Sequence, residues 1–134
     1  MPKELLVGLE IADDAAVYAV APDMAIVQTV DFFPPIVDDA YASGQIGAAN
    51  SMSDVYAMGG EVLFALNVAA WPEDVPTDLL ERVFAGAVDK VREAGGVVAG
   101  GHTIIDKEPK FGQCVTGRVD PKQMLLKQNL RSGD

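Results

Sequence analysis

Two segments predicted to be β-strands are apolar on both faces, and no other feature restricts the fold as strongly. In MAIVQTVDF, residues 24–32, one face carries Met24, Ile26, Val30 and Phe32, and the other carries Ala25 and Val27. In VLFALNVAAW, residues 62–71, one face carries Val62, Phe64, Leu66 and Val68, and the other carries Leu63, Ala65, Ala69 and Trp71. A sheet with one face in water alternates apolar and polar residues. The sheet of this chain is therefore expected to be covered on both faces.

The remaining patterns predict the element order ββαβαββ. Strands are predicted at 14–20, 24–32, 61–71, 97–105 and 110–119, and helices of about 17 residues at 41–58 and 78–94. Asp38 or Asp39 is expected to cap the first helix and Thr77 the second, and each helix is expected to end at a Gly-Gly pair, 59–60 and 95–96. This order predicts an α+β fold, a mixed α/β sandwich of about four to five strands with both helices packed on one face.

Two helices can cover only one face of such a sheet, so the other face needs a second partner. A second copy of the chain, related by a two-fold axis, is the economical cover, and the sequence therefore predicts a homodimer. A further domain of a longer parent protein is the alternative cover, and the chain alone would then aggregate.

Composition excludes several classes of protein. The chain has 134 residues, the usual size of one domain, and a formal net charge of −10. This charge argues against nucleic-acid binding and implies that an anionic substrate arrives with metal ions. No apolar run is long enough to cross a membrane and no signal peptide is visible, so a cytoplasmic protein is expected. A single cysteine, Cys114, excludes an internal disulfide and a multi-cysteine zinc site, and it is interpreted as a bystander.

Acidic residues at the edges of the predicted elements are the main candidates for a site. Asp13 and Asp14 begin the first strand, Asp31 ends the second, and Asp54 lies among apolar residues of the first helix. A carboxylate in apolar surroundings needs a cation or hydrogen-bond donors, and Mg²⁺ uses such oxygens to hold substrate phosphates. Asn50, one turn before Asp54, is expected to orient its carboxylate or to touch the ligand. The competing interpretation is turn-forming aspartates plus one solvated helix aspartate, which is accepted for Asp38, Asp39, Asp74 and Asp78.

The segment GGHT, residues 100–103, is the second candidate. Two glycines inside a strand indicate close backbone approach or a bulge. His102 is the only histidine, so it cannot form a zinc site, and a structural glycine kink with a surface histidine remains an alternative. Neither common phosphate-binding fingerprint, GxxxxGK[ST] or GxGxxG, is present.

Five blocks in this order resemble the selenophosphate synthetase (selenide, water dikinase) family. They are EIADDAAVYAV, VQTVDFFPPIVDD, NSMSDVYAMGG, ALNVAAWP and AGGHTIIDKEPKFGQCVTG, and together they span nearly the whole chain. The wider superfamily includes aminoimidazole ribonucleotide synthetase, thiamine-phosphate kinase and a hydrogenase maturation factor. The resemblance implies that ATP, selenide and water give selenophosphate, AMP and phosphate, with ATP held by aspartate-bridged Mg²⁺ ions. It also implies a dimer formed through the sheets.

The resemblance implies roles for particular residues. Asp14 and Asp54 match metal-binding aspartates, and Asp54 also faces the nucleotide. The other matches are nucleotide contacts: Ile11, Ala12, Asp13, Asp31, Gly101, His102 and Thr103. No catalytic residue is assigned, because the family's cysteine or selenocysteine and its lysine lie in a glycine-rich N-terminal segment, whereas only MPKELLVGL precedes Glu10.

The resemblance further implies that residues 1–134 are an N-terminal nucleotide-binding and dimerisation domain. The family continues into a C-terminal domain with another metal aspartate, so this fragment is expected to lack activity. Two alternatives stay open: another ATP-dependent enzyme of the superfamily, for example a thiamine-phosphate kinase, and a non-catalytic module that binds nucleotide or a partner chain.

Overall fold

A six-stranded mixed sheet with two helices on one face forms the protein, as described by a computed structural model covering residues 1–134. The strands are β1 (Leu5–Val7), β2 (Ala16–Ala21), β3 (Met24–Phe33), β4 (Glu61–Trp71), β5 (Val97–Ile105) and β6 (Lys110–Val119). The helices are α1 (Ala40–Ala57) and α2 (Thr77–Glu93), and a single 3₁₀ turn follows at Lys127–Asn129. The predicted α+β class is confirmed, with one or two more strands than expected.

The strand order in the sheet is β1-β2-β3-β6-β4-β5. Strand β6, the last in the chain, lies in the middle and pairs antiparallel with both β3 and β4. Strand β5 forms the only parallel pair, with β4, and has no neighbour on its other side. The sheet interior therefore depends on contacts between residues far apart in sequence.

Helix α1 packs on β3 and β6, and α2 packs on β4 and β5. Between helices and sheet lies the core, whose fully buried members include Val17, Val27, Val55, Val91 and Val115. Asp39 caps α1 by accepting a hydrogen bond from the Ala42 backbone N–H at 2.8 Å, as predicted. Thr77 does not cap α2: Pro76 occupies that position without a side-chain hydrogen bond, and Thr77 is the first helical residue.

The sheet face away from the helices is open, and we call it the open face. Its exposed apolar side chains are Tyr18, Val20, Met24, Ile26, Val30, Phe32, Phe64 and Leu66. The prediction for β3 is confirmed, since Ala25 and Val27 are buried under the helices. For the start of β4 it is wrong: the register shifts between Val62 and Phe64, so Val62 is buried and Leu63 is exposed.

Neither helix combines the length and the apolarity that are needed to cross a membrane.

Candidate functional site

Strand β3 and helix α1 bring Asp31 and Asp54 to the same layer of the protein. Thr29 and Asp31 lie on the helix-covered side of β3, in alternation with exposed Val30. Thr29 Oγ1 donates a hydrogen bond to Asp54 Oδ2 at 3.0 Å, and Asn50 Nδ2 donates one to Asp31 Oδ2 at 2.6 Å. The expectation that Asn50 orients Asp54 is therefore corrected, because Asn50 holds Asp31 and Thr29 holds Asp54.

Asp13 and Asp14 enter the same region from the loop between β1 and β2. The Asp14 backbone N–H donates to Asp13 Oδ1 at 2.8 Å, which fixes the turn before β2. Ile11, Asp13, Asp14 and Thr29 line one surface pocket, whereas Ala12 is exposed beside it. The loop therefore places Asp14 near the end of the hydrogen-bonded pair formed by Thr29 and Asp54.

Lys127 supplies the cation next to these acids. Its Nζ lies 3.0 Å from Asp14 Oδ1, and its backbone N–H donates to Asp13 Oδ2 at 3.0 Å. The hydrogen bond to Asp14 raises the pKa of Lys127, and the negative charges of Asp14, Asp13 and Asp54 add to this effect. Sequence reasoning missed Lys127 because it lies 114 residues after Asp13.

The surroundings of Asp54 disfavour the charged form of its carboxylate. Partial burial raises its pKa above the ordinary aspartate value, and the charges of Asp31 and Asp14 raise it further. The hydrogen bond from Thr29 and the charge of Lys127 act in the opposite direction and lower the pKa. The net effect is a raised pKa, with the charges of Asp31 and Asp14 close enough to Asp54 to contribute to it.

These acids suit Mg²⁺ only in combination with other oxygen ligands. No group of three or more histidine, cysteine, aspartate or glutamate side chains is arranged to hold a metal ion by itself. Magnesium commonly takes one or two carboxylates and completes its octahedron with water and substrate phosphates. Carboxylate oxygens that already attract an ammonium group fit that role, so the donor set agrees with the Mg²⁺ that the resemblance implies.

The GGHT segment lies apart from the acids. Gly101, His102 and Thr103 are exposed on β5, and two strands, β6 and β4, separate β5 from the strand that carries Asp31. A Cβ at Gly101 would lie 2.2 Å from the Asn67 carbonyl oxygen, so close approach to β4 explains this glycine. One copy of the chain does not bring GGHT and the acidic side chains together.

Two further features were not predicted. A buried polar chain runs under α1, because Ser51 Oγ accepts from the Gln113 backbone N–H and Gln113 Nε2 donates to Asn67 Oδ1. Gln113 Oε1 is buried without a hydrogen-bond partner. An apolar cavity lies between α1, α2 and the 34–39 loop, beside Phe33, Trp71 and Leu79, and Asp14, Asp31 and Asp54 do not line it.

Residues 12–119 match the family described as AIR synthase related protein, N-terminal domain. The chain belongs to this family. Its mixed sheet and acid-bearing loop and helix are thus those of an AIR synthase related N-terminal domain. The superfamily expected from the five sequence blocks is confirmed.

Curated relatives of this AIR synthase related chain carry the name selenide, water dikinase. The protein of Pelobacter propionicus is 55% identical over 131 residues, which is 97% of this chain and 38% of that protein. The protein of Clostridioides difficile is 52% identical over 132 residues, 98% of this chain and 38% of that protein. The predicted resemblance to selenophosphate synthetase is confirmed, and the chain spans about two fifths of the length of these relatives.

Solved structures share the fold of this AIR synthase related chain at low sequence identity. AaThiL complexed with AMPPCP and TMP superposes with a TM-score of 0.83 at 22% identity, over 92% of this chain and 41% of that one. Thermotoga maritima PurL complexed with ADP gives a TM-score of 0.69 at 16% identity, over 85% of this chain and 20% of that one. These likenesses establish the fold.

Proposed function

We propose that this chain is the ATP- and Mg²⁺-binding N-terminal domain of a selenophosphate synthetase, which makes selenophosphate from selenide, ATP and water in the cytoplasm. The observation that carries the proposal is identity of 48–55% to relatives named selenide, water dikinase over nearly all of the chain. The cluster formed by Asp14, Asp31 and Asp54 supports it, because such oxygens hold metal-bound phosphates.

In this proposal Asp14 and Asp54 hold Mg²⁺. Asp31, the third member of the cluster, contacts the nucleotide. Ile11, Ala12 and Asp13 line the nucleotide beside Asp14, in keeping with their shared loop. Gly101, His102 and Thr103 form a separate contact, three strand spacings or roughly 14 Å from Asp31. A bound nucleotide therefore extends across the sheet to reach both groups, or it receives the second group from another copy.

Titration with a non-hydrolysable ATP analogue tests the proposal. In a chain of net charge −10, the acidic side chains repel an uncompensated triphosphate, so binding should require Mg²⁺ and disappear in EDTA. Isothermal titration calorimetry with and without Mg²⁺ measures this dependence. Asp54→Asn should weaken Mg²⁺-dependent binding at least fivefold, an effect of about 1 kcal/mol, whereas Asp38→Asn, an exposed acid outside the cluster, should not. Binding that is unchanged by EDTA would refute the proposal.

We also propose that these 134 residues alone do not make selenophosphate. Catalytic residues that act together are strongly non-additive, and this chain covers only 38% of its Pelobacter propionicus relative. The purified chain, incubated with ATP, Mg²⁺ and selenide, should give no selenide-dependent AMP above a buffer control. Detection of such AMP would overturn this second statement while supporting the first.

A kinase acting on thiamine phosphate is the second candidate, favoured by the TM-score of 0.83 to AaThiL. Its weakness is sequence identity of 22%, against 55% for a selenide, water dikinase. Thermal-shift measurements with AMPPCP, with and without thiamine monophosphate, distinguish the two. Additional stabilisation by thiamine monophosphate would favour the second candidate.

A further inference from the structure

The C-terminal segment, residues 120–134, lies beside Asp13 and Asp14 at one end of the acidic cluster, and few contacts hold it there. Met124 and Leu126 pack against the core, and the Leu125 backbone N–H donates to the Met58 carbonyl at 3.0 Å. Beyond Leu126 the segment is held by polar contacts of Lys127, which forms a hydrogen bond with Asp13 and an ion pair with Asp14. A pocket between the segment and the end of α1 is lined in part by Asp14, Ala57 and Lys127. The segment therefore lies against Asp14 without burying it.

The ammonium group of Lys127 lies at the Asp14 carboxylate, which is the proposed ligand of the divalent cation. Its ammonium lies 3.0 Å from Asp14 Oδ1, with 57% of the Lys127 side chain and 29% of the Asp14 side chain exposed. A lysine side chain is long and flexible, so it can leave this position at little energetic cost. A divalent ion bound to the same carboxylate would repel an ammonium group at that distance.

We propose that Lys127 is a built-in counter-ion of the acidic cluster, and that a divalent cation binding at Asp14 displaces it and loosens residues 127–134. The inference rests on the proposed function, since it takes Asp14 and Asp54 as metal ligands. The Lys127 ammonium explains how a strongly acidic cluster is tolerated in the metal-free chain. Metal binding at Asp14 and attachment of the segment through Lys127 are linked, so each influences the other reciprocally. The mobility of the segment therefore depends on whether the metal is bound.

Removal of the ammonium should strengthen metal binding. Lys127→Gln should bind Mn²⁺ about 1.5-fold to fivefold more tightly than the wild-type chain, the range expected for a partly exposed ion pair. Lys122→Gln is the matched control, because it removes the same charge from the same segment and no ion pair involves Lys122. It should leave the affinity within the experimental error of the wild type. Calorimetric titration with Mn²⁺ alone gives the three affinities.

Hydrogen exchange followed by mass spectrometry tests the displacement in the unmodified chain. Saturation with Mn²⁺ should speed exchange in peptides covering residues 127–134, where the Lys127 N–H loses its bond to Asp13 Oδ2. Peptides from β6 should not change, because that strand is paired on both sides. Equal or weaker Mn²⁺ affinity of Lys127→Gln, or unchanged exchange in the segment, would overturn this inference alone. Absence of Mn²⁺ binding by all three proteins would overturn the proposed metal site as well.

Discussion

The surroundings of Asp54 disfavour its charged form, and this has a consequence for stability. Its pKa is raised above the ordinary value, chiefly by burial and secondly by Asp31 and Asp14. A carboxyl group whose pKa is higher in the folded state favours folding when protonated, and that contribution is lost as pH rises through the folded-state pKa. Below the ordinary unfolded-state pKa the contribution is fully present.

Asp54→Asn should therefore stabilise the metal-free chain at pH 7. Since the site is largely open to solvent, we expect less than about 1 kcal/mol. The difference from the wild type should shrink as pH falls through the raised pKa of Asp54, below which Asp54 itself is neutral. Urea denaturation in EDTA across this pH range measures it, with Asp38→Asn as the control that should show no such trend. Equal stability of Asp54→Asn and wild type at pH 7 would contradict the prediction.

The acidic side chains of the site could be selected from sequence, but their partners could not. An aspartate flanked by apolar residues is conspicuous, as at Asp31 and Asp54, because burial of a charge requires compensation. Which group compensates depends on how helix and sheet pack. The helical repeat predicted that Asn50 would contact Asp54. In the structure β3 lies beneath α1, and Asn50 is hydrogen-bonded to Asp31 instead. Asp54 is hydrogen-bonded to Thr29.

At the scale of elements, α1 and α2 approach so closely that each has a glycine against the other helix's backbone. A Cβ at Gly44 would lie 1.8 Å from the Val83 carbonyl oxygen, and one at Gly86 would lie 2.0 Å from the Tyr41 carbonyl oxygen. Real Cβ atoms do not approach backbone oxygens at such distances. The helices would have to separate to admit even one methyl group.

Gly86→Ala should consequently destabilise the protein, although alanine is the better helix former. The gain in helix propensity is about 1 kcal/mol. Forcing apart a close-packed contact costs about 1–3 kcal/mol, so we expect a net loss of up to about 2 kcal/mol. The neighbouring exposed position provides the control, Ala85→Ser, which should change stability by less than about 0.5 kcal/mol. A stabilised Gly86→Ala variant in urea denaturation would disprove the close contact.

Element positions were largely predictable because helix ends and strand periodicity are local signals. The predicted strand 61–71 coincides with β4, and both Gly-Gly pairs follow helix ends, where Gly59 and Gly95 adopt positive φ. Strand β1 has only three residues, too few to show a period. The register shift at Leu63 is set by pairing with β6, and β6 lies some 50 residues further along the chain, so no local pattern could reveal it.

At the scale of the whole molecule, the open face determines how copies associate. Val30 is 63% exposed and Phe32 is 48% exposed in the middle of this face. Contiguous apolar surface of this kind is uncommon on monomers. We propose, as the sequence predicts, that two copies pair through it about a two-fold axis.

Light scattering should give about twice 14.1 kDa for the purified chain. Val30→Lys should shift the population to monomer, because a charge would be buried without a partner at the centre of the interface. Ala85→Lys is the control, since Ala85 is exposed on α2, which packs on the opposite face of the sheet. A wild-type chain that stays monomeric at tens of micromolar, roughly where such an interface should pair, would exclude this dimer.

The central position of β6 also determines when the sheet can be completed during synthesis. Strands β1 to β3 form one antiparallel group, and β4 and β5 form a parallel pair, but only β6 joins them. A growing chain therefore carries two incomplete half-sheets until Val119 has left the ribosome. Contacts of such long sequence separation form slowly, and unpaired strand edges invite association between nascent chains. For this chain the interval just before the emergence of β6 is the vulnerable period for misassembly.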